Sequence, residues 1–302
     1  MEDMADTIVV GLGEVLWDCF ADARKPGGAP ANVAFHAQQL GHRGVVCSRV
    51  GDDELGHELV DHIASCGLDV GYIQRDTDKK TGYVTVDTSN PARPVFTIHE
   101  DVAWDHIEFD ERLERLMKEA SAVCFGTLAQ RNPASRETIA SCLKAANHAF
   151  IVYDVNIRQS WYRHDWIEDS LLASHVAKLN IDEIEVLDKA LQIGSVEPPA
   201  FADALQQRYD VDMVCITRAE DGCILIVGGE YVEAPGIEVE VSDAVGAGDA
   251  FTAALISARL RDWSLKTTAD FANRVGALVA GQSGAMPPLA DEFEAIVSQV
   301  QQ

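Results

Sequence analysis

The feature that most constrains the fold is a regular alternation of short apolar runs with segments of helical periodicity in the second half of the chain. Apolar runs occupy 122–126, 149–156 and 176–180, and segments suited to helices lie at 133–147 and 181–191. A strand, a helix and a second strand in this order form a right-handed parallel unit, and repeating the unit builds one sheet. The alternation therefore predicts an α/β fold with a mainly parallel sheet and helices on both of its faces.

The rest of the chain extends this pattern with one exception. The N-terminal part begins with a strand predicted over 7–16, then alternates helix, strand and helix, and the chain is helical from Gly246 onward. Between about 72 and 104 the pattern changes to short β-rich runs separated by turn residues. Neither a repeat nor a linker interrupts the sequence. We therefore expect a single domain over 1–302 that carries a small β excursion.

Composition narrows the possible partners. The 302 residues carry a net charge of −25, and 47% of them are hydrophobic. Such a field repels nucleic acid and anionic membranes, so we expect neither as a partner. The sequence has no run of about 18 apolar residues and no basic leader, so we expect a cytoplasmic protein. The seven cysteines are scattered and form no CxxC pair, which favours reduced thiols over disulfides or a zinc site.

The stretch VSDAVGAGDAF, at 241–251, places three small residues before a lone carboxylate and an apolar helical run. The first N–H groups of a helix, together with its dipole, form an anion site without any basic side chain. Asp249 is ionised at neutral pH and could take a proton from a hydroxyl that attacks a phosphorus atom held by Gly246, Ala247 and Gly248. The alternative is a plain turn with a carboxylate at the start of a helix.

A second glycine cluster, KPGGAPANVA at 25–34, opens the first predicted helix. Gly28 would let a ligand approach the backbone, and Asn32 offers a donor and an acceptor to paired sugar hydroxyls. Asp18 is a lone acid in an apolar strand and suits a hydroxyl as well. A tight turn at the glycines and a solvated position for Asp18 are the alternatives.

Polar residues also follow two strands of the predicted sheet. YDVNIR brings Asp154, Asn156 and Arg158 to alternate positions, hence to one side of a strand, and KLNIDE places Asn180 and Glu183 at the next strand–helix junction. Ligands collect at the carboxyl ends of parallel strands, so the first group is a candidate binding set. The second could hold Mg²⁺ and its waters. Helix capping is the alternative for Asn180 and Glu183.

Taken together, these stretches resemble the ribokinase-like (PfkB) carbohydrate kinase family over essentially the whole chain. GGAPANVA resembles the family's N-terminal sugar-binding motif, and SDAVGAGDAF resembles its C-terminal catalytic motif DTxGAGDxF. VGDDELG, DVNIRQ, KLNIDE and ITRAEDG fall in the family's order and approximate spacing. Within the family, GGAPANVA, FGTLAQR and DVNIRQSWY are most similar to fructokinases.

The resemblance implies a Rossmann-like central sheet flanked by helices, with a β-sheet lid formed from about 14–24 and 81–104. It implies transfer of the γ-phosphoryl group of ATP to a sugar hydroxyl, with fructose as the expected sugar. It also implies a homodimer that forms through the lid.

The resemblance further assigns roles to single residues. In catalysis Asp249 would be the base, the amides of Gly246, Ala247 and Gly248 the anion hole, and Arg158 a stabiliser of the transferring phosphoryl group. The sugar would be held by Asp18, Gly28, Asn32, Asp154 and Asn156, with His99, Glu100, Trp104 and Arg131 contributing from the lid side. The nucleotide pocket would contain Asn180, Thr217, Gly222, Gly246, Gly248 and Asn273. Asn180 and Glu183 would organise Mg²⁺ through water, and potassium would bind Asp243 and carbonyls near 281–285.

Two departures from the family pattern and two alternative functions complete this interpretation. Ala244 stands where the family has Thr, which puts potassium dependence in doubt, and Ala219 stands where a glycine is usual. The same chemistry on 2-keto-3-deoxygluconate is one alternative, although an anionic substrate favours a cationic pocket and the lid has few basic residues. A sugar-binding regulator without catalysis is the other, and the intact GAGD and KLNIDE stretches argue against it.

Overall fold

The computed structural model of the chain describes residues 4–87 and 95–300. Within these ranges there are thirteen strands: β1 Ile8–Leu12, β2 Leu16–Cys19, β3 Arg24–Gly27, β4 Arg43–Gly51, β5 Ile73–Asp76, β6 Tyr83–Asp87, β7 Val95–Ile98, β8 Ala122–Gly126, β9 Phe150–Asp154, β10 Val176–Asn180, β11 Met213–Thr217, β12 Cys223–Val227 and β13 Glu230–Ala234. The same ranges contain ten α-helices: α1 Ala29–Gln39, α2 Glu54–Ser65, α3 Glu111–Glu119, α4 Pro133–Ala145, α5 His164–Leu172, α6 Glu183–Leu191, α7 Pro198–Tyr209, α8 Ala247–Leu260, α9 Leu265–Ala280 and α10 Ala290–Val300.

Nine strands form the large sheet, in the order β13-β12-β11-β10-β9-β8-β1-β4-β5. The strands from β11 to β5 pair in parallel, and β12 and β13 continue the sheet as antiparallel strands at one edge. The predicted mainly parallel α/β sheet is confirmed. Its strands read as continuous apolar runs because helices cover both of their faces.

Alternate residues of each central strand pack against different groups of helices. In β8, Val123 and Phe125 contact the core shared with Leu116 of α3, whereas Cys124 belongs to the core that contains Phe251 of α8. Helices α3 to α7 therefore cover one face of the sheet, and α1, α8, α9 and α10 cover the other.

The run predicted as one strand over 7–16 is divided between two sheets. It ends as β1 at Leu12, turns at Gly13, where φ is +150°, and resumes as β2 at Leu16. The division has a physical cause, since this backbone conformation strongly favours glycine. The turn carries the chain, and with it Glu14, from the centre of the large sheet into a second sheet.

The second sheet has four strands in the order β3-β2-β6-β7, with two antiparallel pairs and one parallel pair between β2 and β6. It draws its strands from 16–27 and 83–98, and residues 88–94 of the predicted lid lie outside the described residues. The first β run of the predicted excursion, β5, belongs to the large sheet instead. It pairs with β4, and Ile73 packs with Leu59 and Ile63 of α2.

Two further expectations can be compared with the fold. All seven cysteines are free thiols, and five of them are buried. Among the helices in 4–87 and 95–300, none is both long enough and apolar enough to span a membrane.

Candidate active site

The start of α8 has the geometry that the glycine pattern predicted. Gly246 stands just before the helix with φ +83°, and a Cβ atom at this position would lie 2.6 Å from the carbonyl oxygen of Ala285. A side chain is therefore excluded twice, by conformation and by space. The first N–H groups of α8 have no partner within the helix. The N–H of Ala247 makes a long hydrogen bond of 3.4 Å to the carbonyl oxygen of Ala244, which an anion could displace.

Asp249 lies in the first turn of this helix and contacts the second glycine motif directly. Its Oδ2 accepts a hydrogen bond of 2.7 Å from Nδ2 of Asn32, in the first turns of α1. Burial raises the pKa of Asp249 to about 6, and the charge of Asp154 adds to the shift, while Asn32, Lys178 and Arg158 oppose it. The side chain is nevertheless half-buried rather than sealed, so a bound hydroxyl can reach a carboxylate that is ionised at neutral pH.

A buried ion pair lies close to the start of α8. Lys178 of β10 donates hydrogen bonds of 3.1 and 3.0 Å to the two oxygens of Asp154, at the end of β9. The ammonium nitrogen is 3.4 Å from the position that a Cβ on Gly248 would occupy. An anion site free of basic side chains was therefore the wrong expectation, because one strand of the sheet brings a lysine beneath the glycines.

The charge of Lys178 is maintained by its surroundings. Burial alone would lower its pKa, but the carboxylates of Asp154, Glu183 and Asp249 outweigh burial and raise the pKa. Asp154 is also bonded to α8, since the hydroxyl of Thr252 lies 3.0 Å from its Oδ2. Both oxygens of Asp154 thus have partners within the protein, although this residue was predicted to bind sugar.

The three polar residues of DVNIR do not share one side of a strand. The strand β9 ends at Asp154, and Asn156 has a positive φ of 40°, so the alternation that the sequence implied stops there. Arg158 is exposed, and its charge lowers the pKa of both Asp249 and Asp18. Its guanidinium is therefore close enough to the carboxylates of the cleft to act on an anionic group between them.

Residues of the second sheet and of α1 complete the cleft. Asp18 of β2 lies beside the glycine pair, with its Oδ2 2.8 Å from where a Cβ on Gly27 would stand. Burial raises the pKa of Asp18, and Arg158 and Lys25 oppose that shift. Gly28 has φ +119°, and a Cβ there would approach the carbonyl oxygen of Glu14 to 2.4 Å. The glycines thus permit close contact between the turn that follows β1 and the start of α1.

Asn180 and Glu183 form a reciprocal cap at the start of α6. Glu183 accepts hydrogen bonds from the N–H groups of Asn180 and Ile157, at 2.8 and 2.7 Å, and the amide oxygen of Asn180 accepts one from the N–H of Glu183. Burial raises the pKa of Glu183. Because both carboxylate oxygens already accept N–H donors, the pair fits indirect contact with a hydrated cation better than direct ligation. Over the described part of the chain, no cluster of three or more His, Cys, Asp or Glu side chains is placed to hold a metal.

The residues predicted for the nucleotide pocket occupy two positions. Asn180 and Thr217 are register partners at the ends of β10 and β11, so they lie side by side at the edge of the sheet. Gly222 and Asn273 instead support the backbone after β13. A Cβ on Gly222 would meet the carbonyl oxygen of Ala234 at 2.2 Å, and Asn273 donates to carbonyls at 234 and 235.

The four residues predicted to contact the sugar from the lid side, His99, Glu100, Trp104 and Arg131, do not line a common pocket. Trp104 and Arg131 are buried, with the guanidinium carbon 4.0 Å from the centroid of the indole, and Arg131 pairs with Asp105. Their burial does not match direct sugar contact. His99 stacks on Tyr83 with ring centroids 4.0 Å apart, and Glu100 is exposed to solvent.

Asp243 has contacts that compete with a potassium ion. Its oxygens accept hydrogen bonds from the N–H groups of Val245 and Gly284, at 3.1 and 3.2 Å, and from the ammonium of Lys25 at 3.3 Å. The carbonyl of Ala285 is bonded to His36. A lysine ammonium already faces the carboxylate, so these residues fit a monovalent cation poorly.

Sequence reasoning missed two charged residues of the site. Lys178 was available as a signal, because a lone lysine inside a buried strand requires an acidic partner. Glu14 was included in the strand predicted over 7–16 and was given no role of its own. Its side chain is buried. The charge of Arg158 lowers the pKa of Glu14, and the charge of Asp249 raises it.

Comparison with known proteins places this site in a family. Residues 4–292 match the pfkB family of carbohydrate kinases. The chain belongs to this family. A sugar kinase of Pyrococcus horikoshii, PH1459, is 32% identical over 97% of this chain and 92% of its own length. Its structure in complex with ATP superimposes with a TM-score of 0.83 at 29% identity, covering 97% of this chain and 99% of that chain.

Other relatives of this pfkB kinase differ in the sugar named for them. The fructokinase of Escherichia coli is 27% identical over 87% of this chain and 88% of its own length. The ATP-dependent 6-phosphofructokinase of Thermoanaerobacterium thermosaccharolyticum is 28% identical over 96% of this chain and 89% of its own length. The family membership thus establishes a carbohydrate kinase, and these identities do not separate one sugar from another.

Proposed function

We propose that this pfkB kinase transfers the γ-phosphoryl group of ATP to a hydroxyl of a neutral sugar, with fructose as the expected substrate. The observation that carries the proposal is the contact between Asp249 and Asn32 at the start of α8. This contact joins a base, an anion site and a sugar-binding amide in one place. The fructokinase relative and the ATP complex of PH1459 support the choice of substrates.

In the proposed reaction, Asp18, Gly28 and Asn32 hold the sugar so that one hydroxyl faces Asp249. The carboxylate accepts the proton as the hydroxyl oxygen attacks the γ-phosphorus, and the bond to the ADP oxygen breaks. N–H groups of Ala247 and Gly248 bind the charge on the phosphoryl oxygens, and Lys178 adds a positive charge from behind.

The exposed guanidinium of Arg158 follows the end of β9, and its charge acts on Asp249 and Asp18, so it would attract the transferring phosphoryl group. Asn156, two residues earlier, is the further candidate for sugar contact on this loop. We propose that ATP lies along the ends of β10 and β11, near Asn180 and Thr217. Mg²⁺ bound with ATP would neutralise phosphate charge, and Asn180 and Glu183 would hold it through its water ligands.

We propose that the four-stranded sheet acts as a lid over the sugar, because it carries Asp18 and leads directly into Gly28. Closure would exclude water from the phosphoryl group and so favour the sugar over hydrolysis. The strand β7 leaves Val95 and Phe96 exposed at 60% and 49%. This apolar edge supports a homodimer formed through the lid.

The acidic side chains of the proposed sugar site favour binding of neutral acceptors over anionic ones. Glu14, Asp18 and Asp249 repel a carboxylate or a phosphate, so ketodeoxygluconate and fructose 6-phosphate are disfavoured. ADP release should be measured with fructose, ribose, 2-keto-3-deoxygluconate, fructose 6-phosphate and nucleosides as acceptors. Fructose should give the highest kcat/KM, and a preference for either anionic acceptor would contradict the assignment. Sugar binding without any ADP formation would identify a regulator instead.

A further inference from the structure

Glu14 is a buried acid, and one of its two carboxylate oxygens has no structural role. It lies in the turn between β1 and β2, and only 4% of the residue is exposed. Its backbone packs against Gly28, and its carboxylate interacts with the backbone N–H of Ala29, at the N-terminal end of α1. Among the residues of 4–87 and 95–300, no atom forms a hydrogen bond with its Oε2.

An unpartnered carboxylate oxygen in such a place is costly. Other buried acids of this protein have donors. Asp76, for example, accepts from two N–H groups and an arginine, and Asp154 accepts from Lys178 and Thr252. Burial raises the pKa of Glu14 to about 7, with the charge of Asp249 adding to the shift and Arg158 opposing it. Backbone N–H groups of Glu14 and Ala29 lower the pKa but do not outweigh burial, and Oε2 is left without a donor.

A second unsatisfied acceptor lies in the same cleft. The amide oxygen of Asn32 is buried and has no hydrogen-bond partner within the described chain, whereas its Nδ2 is engaged by Asp249. Glu14 and Asn32 therefore offer acceptors on the same side of the cleft as the base. Hydroxyl groups are the donors that match them, and anionic groups do not.

We propose that Glu14 is a specificity-determining residue that binds a second hydroxyl of the sugar whose other hydroxyl is deprotonated by Asp249. The inference rests on the proposed function, since it requires a sugar in this cleft. It restricts the acceptor to an uncharged polyol with at least two suitably spaced hydroxyls. A phosphate or carboxylate at the Glu14 position would be repelled.

The test compares Glu14→Gln and Glu14→Ala with the wild type, using Glu230→Gln on exposed strand β13 as the matched control. Steady-state kinetics are measured with fructose, a set of monodeoxyfructoses and ATP. Glu14→Gln should raise KM for fructose by about tenfold or more, and KM for ATP should change by less than about twofold. Thermal unfolding should show that Glu14→Gln is folded, because the substitution removes a buried charge.

The deoxy analogues distinguish a direct hydrogen bond between Glu14 and the sugar from an indirect structural effect of Glu14. With the wild type, one deoxy analogue should have a kcat/KM about tenfold lower than that of fructose. With Glu14→Ala, the same analogue and fructose should have almost equal kcat/KM values, because the missing hydroxyl and the missing carboxylate remove the same hydrogen bond. Equal losses for every analogue in both proteins would overturn the proposal, as would an unchanged KM in Glu14→Gln. A wild type that phosphorylates no sugar of the panel would overturn the proposed function and this inference together. If the wild type phosphorylates fructose and Glu14→Gln has the same KM for fructose, the role of Glu14 alone would be overturned.

Discussion

Two of the buried ion pairs in the described part of the chain, Arg131–Asp105 and Lys178–Asp154, differ in charge balance. Arg131 donates from Nε and Nη2 to the two oxygens of Asp105, both at 2.8 Å, and it lies between the rings of Trp104 and Trp161. Both charged side chains are at most 3% exposed. One cation thus meets one anion in a fork geometry, with aromatic faces around the guanidinium.

The pair of Lys178 and Asp154 is unbalanced by comparison. One ammonium serves Asp154 directly and is also attracted by Glu183 and Asp249. The excess of negative charge contributes to the raised pKa of Asp249, the proposed base. A buried ion pair with balanced charge can therefore serve the structure alone, whereas a pair with excess negative charge can raise the pKa of a neighbouring carboxyl group and so favour proton acceptance.

Replacing the base should have the largest effect on the unbalanced site. Asp249→Asn should lower kcat by about 10²- to 10⁴-fold, because proton acceptance by the carboxylate is lost while sugar contacts remain. Burial raises the pKa of Asp249 from 3.8 to about 6, so its carboxyl group loses stabilising free energy as the pH rises from 3.8 through about 6, and above that pH its ionised form destabilises the fold. The melting temperature of Asp249→Asn at pH 7.5 should therefore not fall.

ADP release and thermal unfolding measure these two quantities, with Asp291→Asn on exposed α10 as the matched control. Turnover of Asp249→Asn at the wild-type rate would contradict the role of the carboxylate. A lower melting temperature would contradict the sign of its effect on stability.

Breaking either pair should destabilise the fold substantially. Arg131→Met and Lys178→Met each leave a buried carboxylate without its cation, which should lower the free energy of unfolding by about 3–5 kcal/mol. Urea denaturation of both variants measures the loss.

Neutralising the partner then distinguishes the two pairs. Adding Asp105→Asn to Arg131→Met should restore much of the stability, because the remaining site is neutral. Adding Asp154→Asn to Lys178→Met should restore less, since Glu183 and Asp249 still lack a counter-charge. Equal recovery in the two double variants would show that the charge balance does not differ.

The pH dependence of the rate should reflect the unbalanced site. Because burial raises the pKa of Asp249 to about 6, the base is protonated below that pH. The value of kcat/KM should fall by about tenfold per pH unit below pH 6 and remain level just above it. Direct separation of ADP from ATP, between pH 5 and 8, measures the profile. A rate independent of pH down to 5 would exclude Asp249 as the titrating group.

The smallest effect is expected at the exposed pair of Lys25 and Asp243, whose side chains are 47% and 22% exposed. Lys25→Met should change the free energy of unfolding by no more than about 1 kcal/mol, because water screens this pair. Urea denaturation beside the two buried variants gives the comparison. A loss as large as theirs would mean that the contact is a main anchor of the second sheet.

The sequence predicted the central strands of the large sheet well because they are apolar on both faces. β8 and β10, for instance, are recognisable as short apolar runs without any knowledge of their neighbours. The assignment of β5 could not be made in this way. Which sheet receives a short strand depends on its packing against α2, and local composition does not encode that contact.

The same distinction holds for the site. Asp249 and Asn32 were predicted because each lies in a glycine-rich motif at the start of a helix. The pairing of Lys178 with Asp154 depends on the register of β9 and β10, in which these two residues are direct partners. Arg131 was assigned to the sugar, but its orientation follows from two tryptophans that are distant in sequence. Side-chain direction across elements is thus the part that composition and spacing leave open.

The two glycines that join β3 to α1 act as a short mechanical connection. Gly27 ends a strand of the second sheet, and Asn32 lies one helical turn beyond Gly28. Only a few residues therefore separate that sheet from the amide that bonds Asp249, so a tilt of the sheet would move this amide as well. A chimaera that exchanges the second sheet between relatives should therefore also exchange residues 24–32. Otherwise the incoming sheet would misplace Asn32 relative to Asp249.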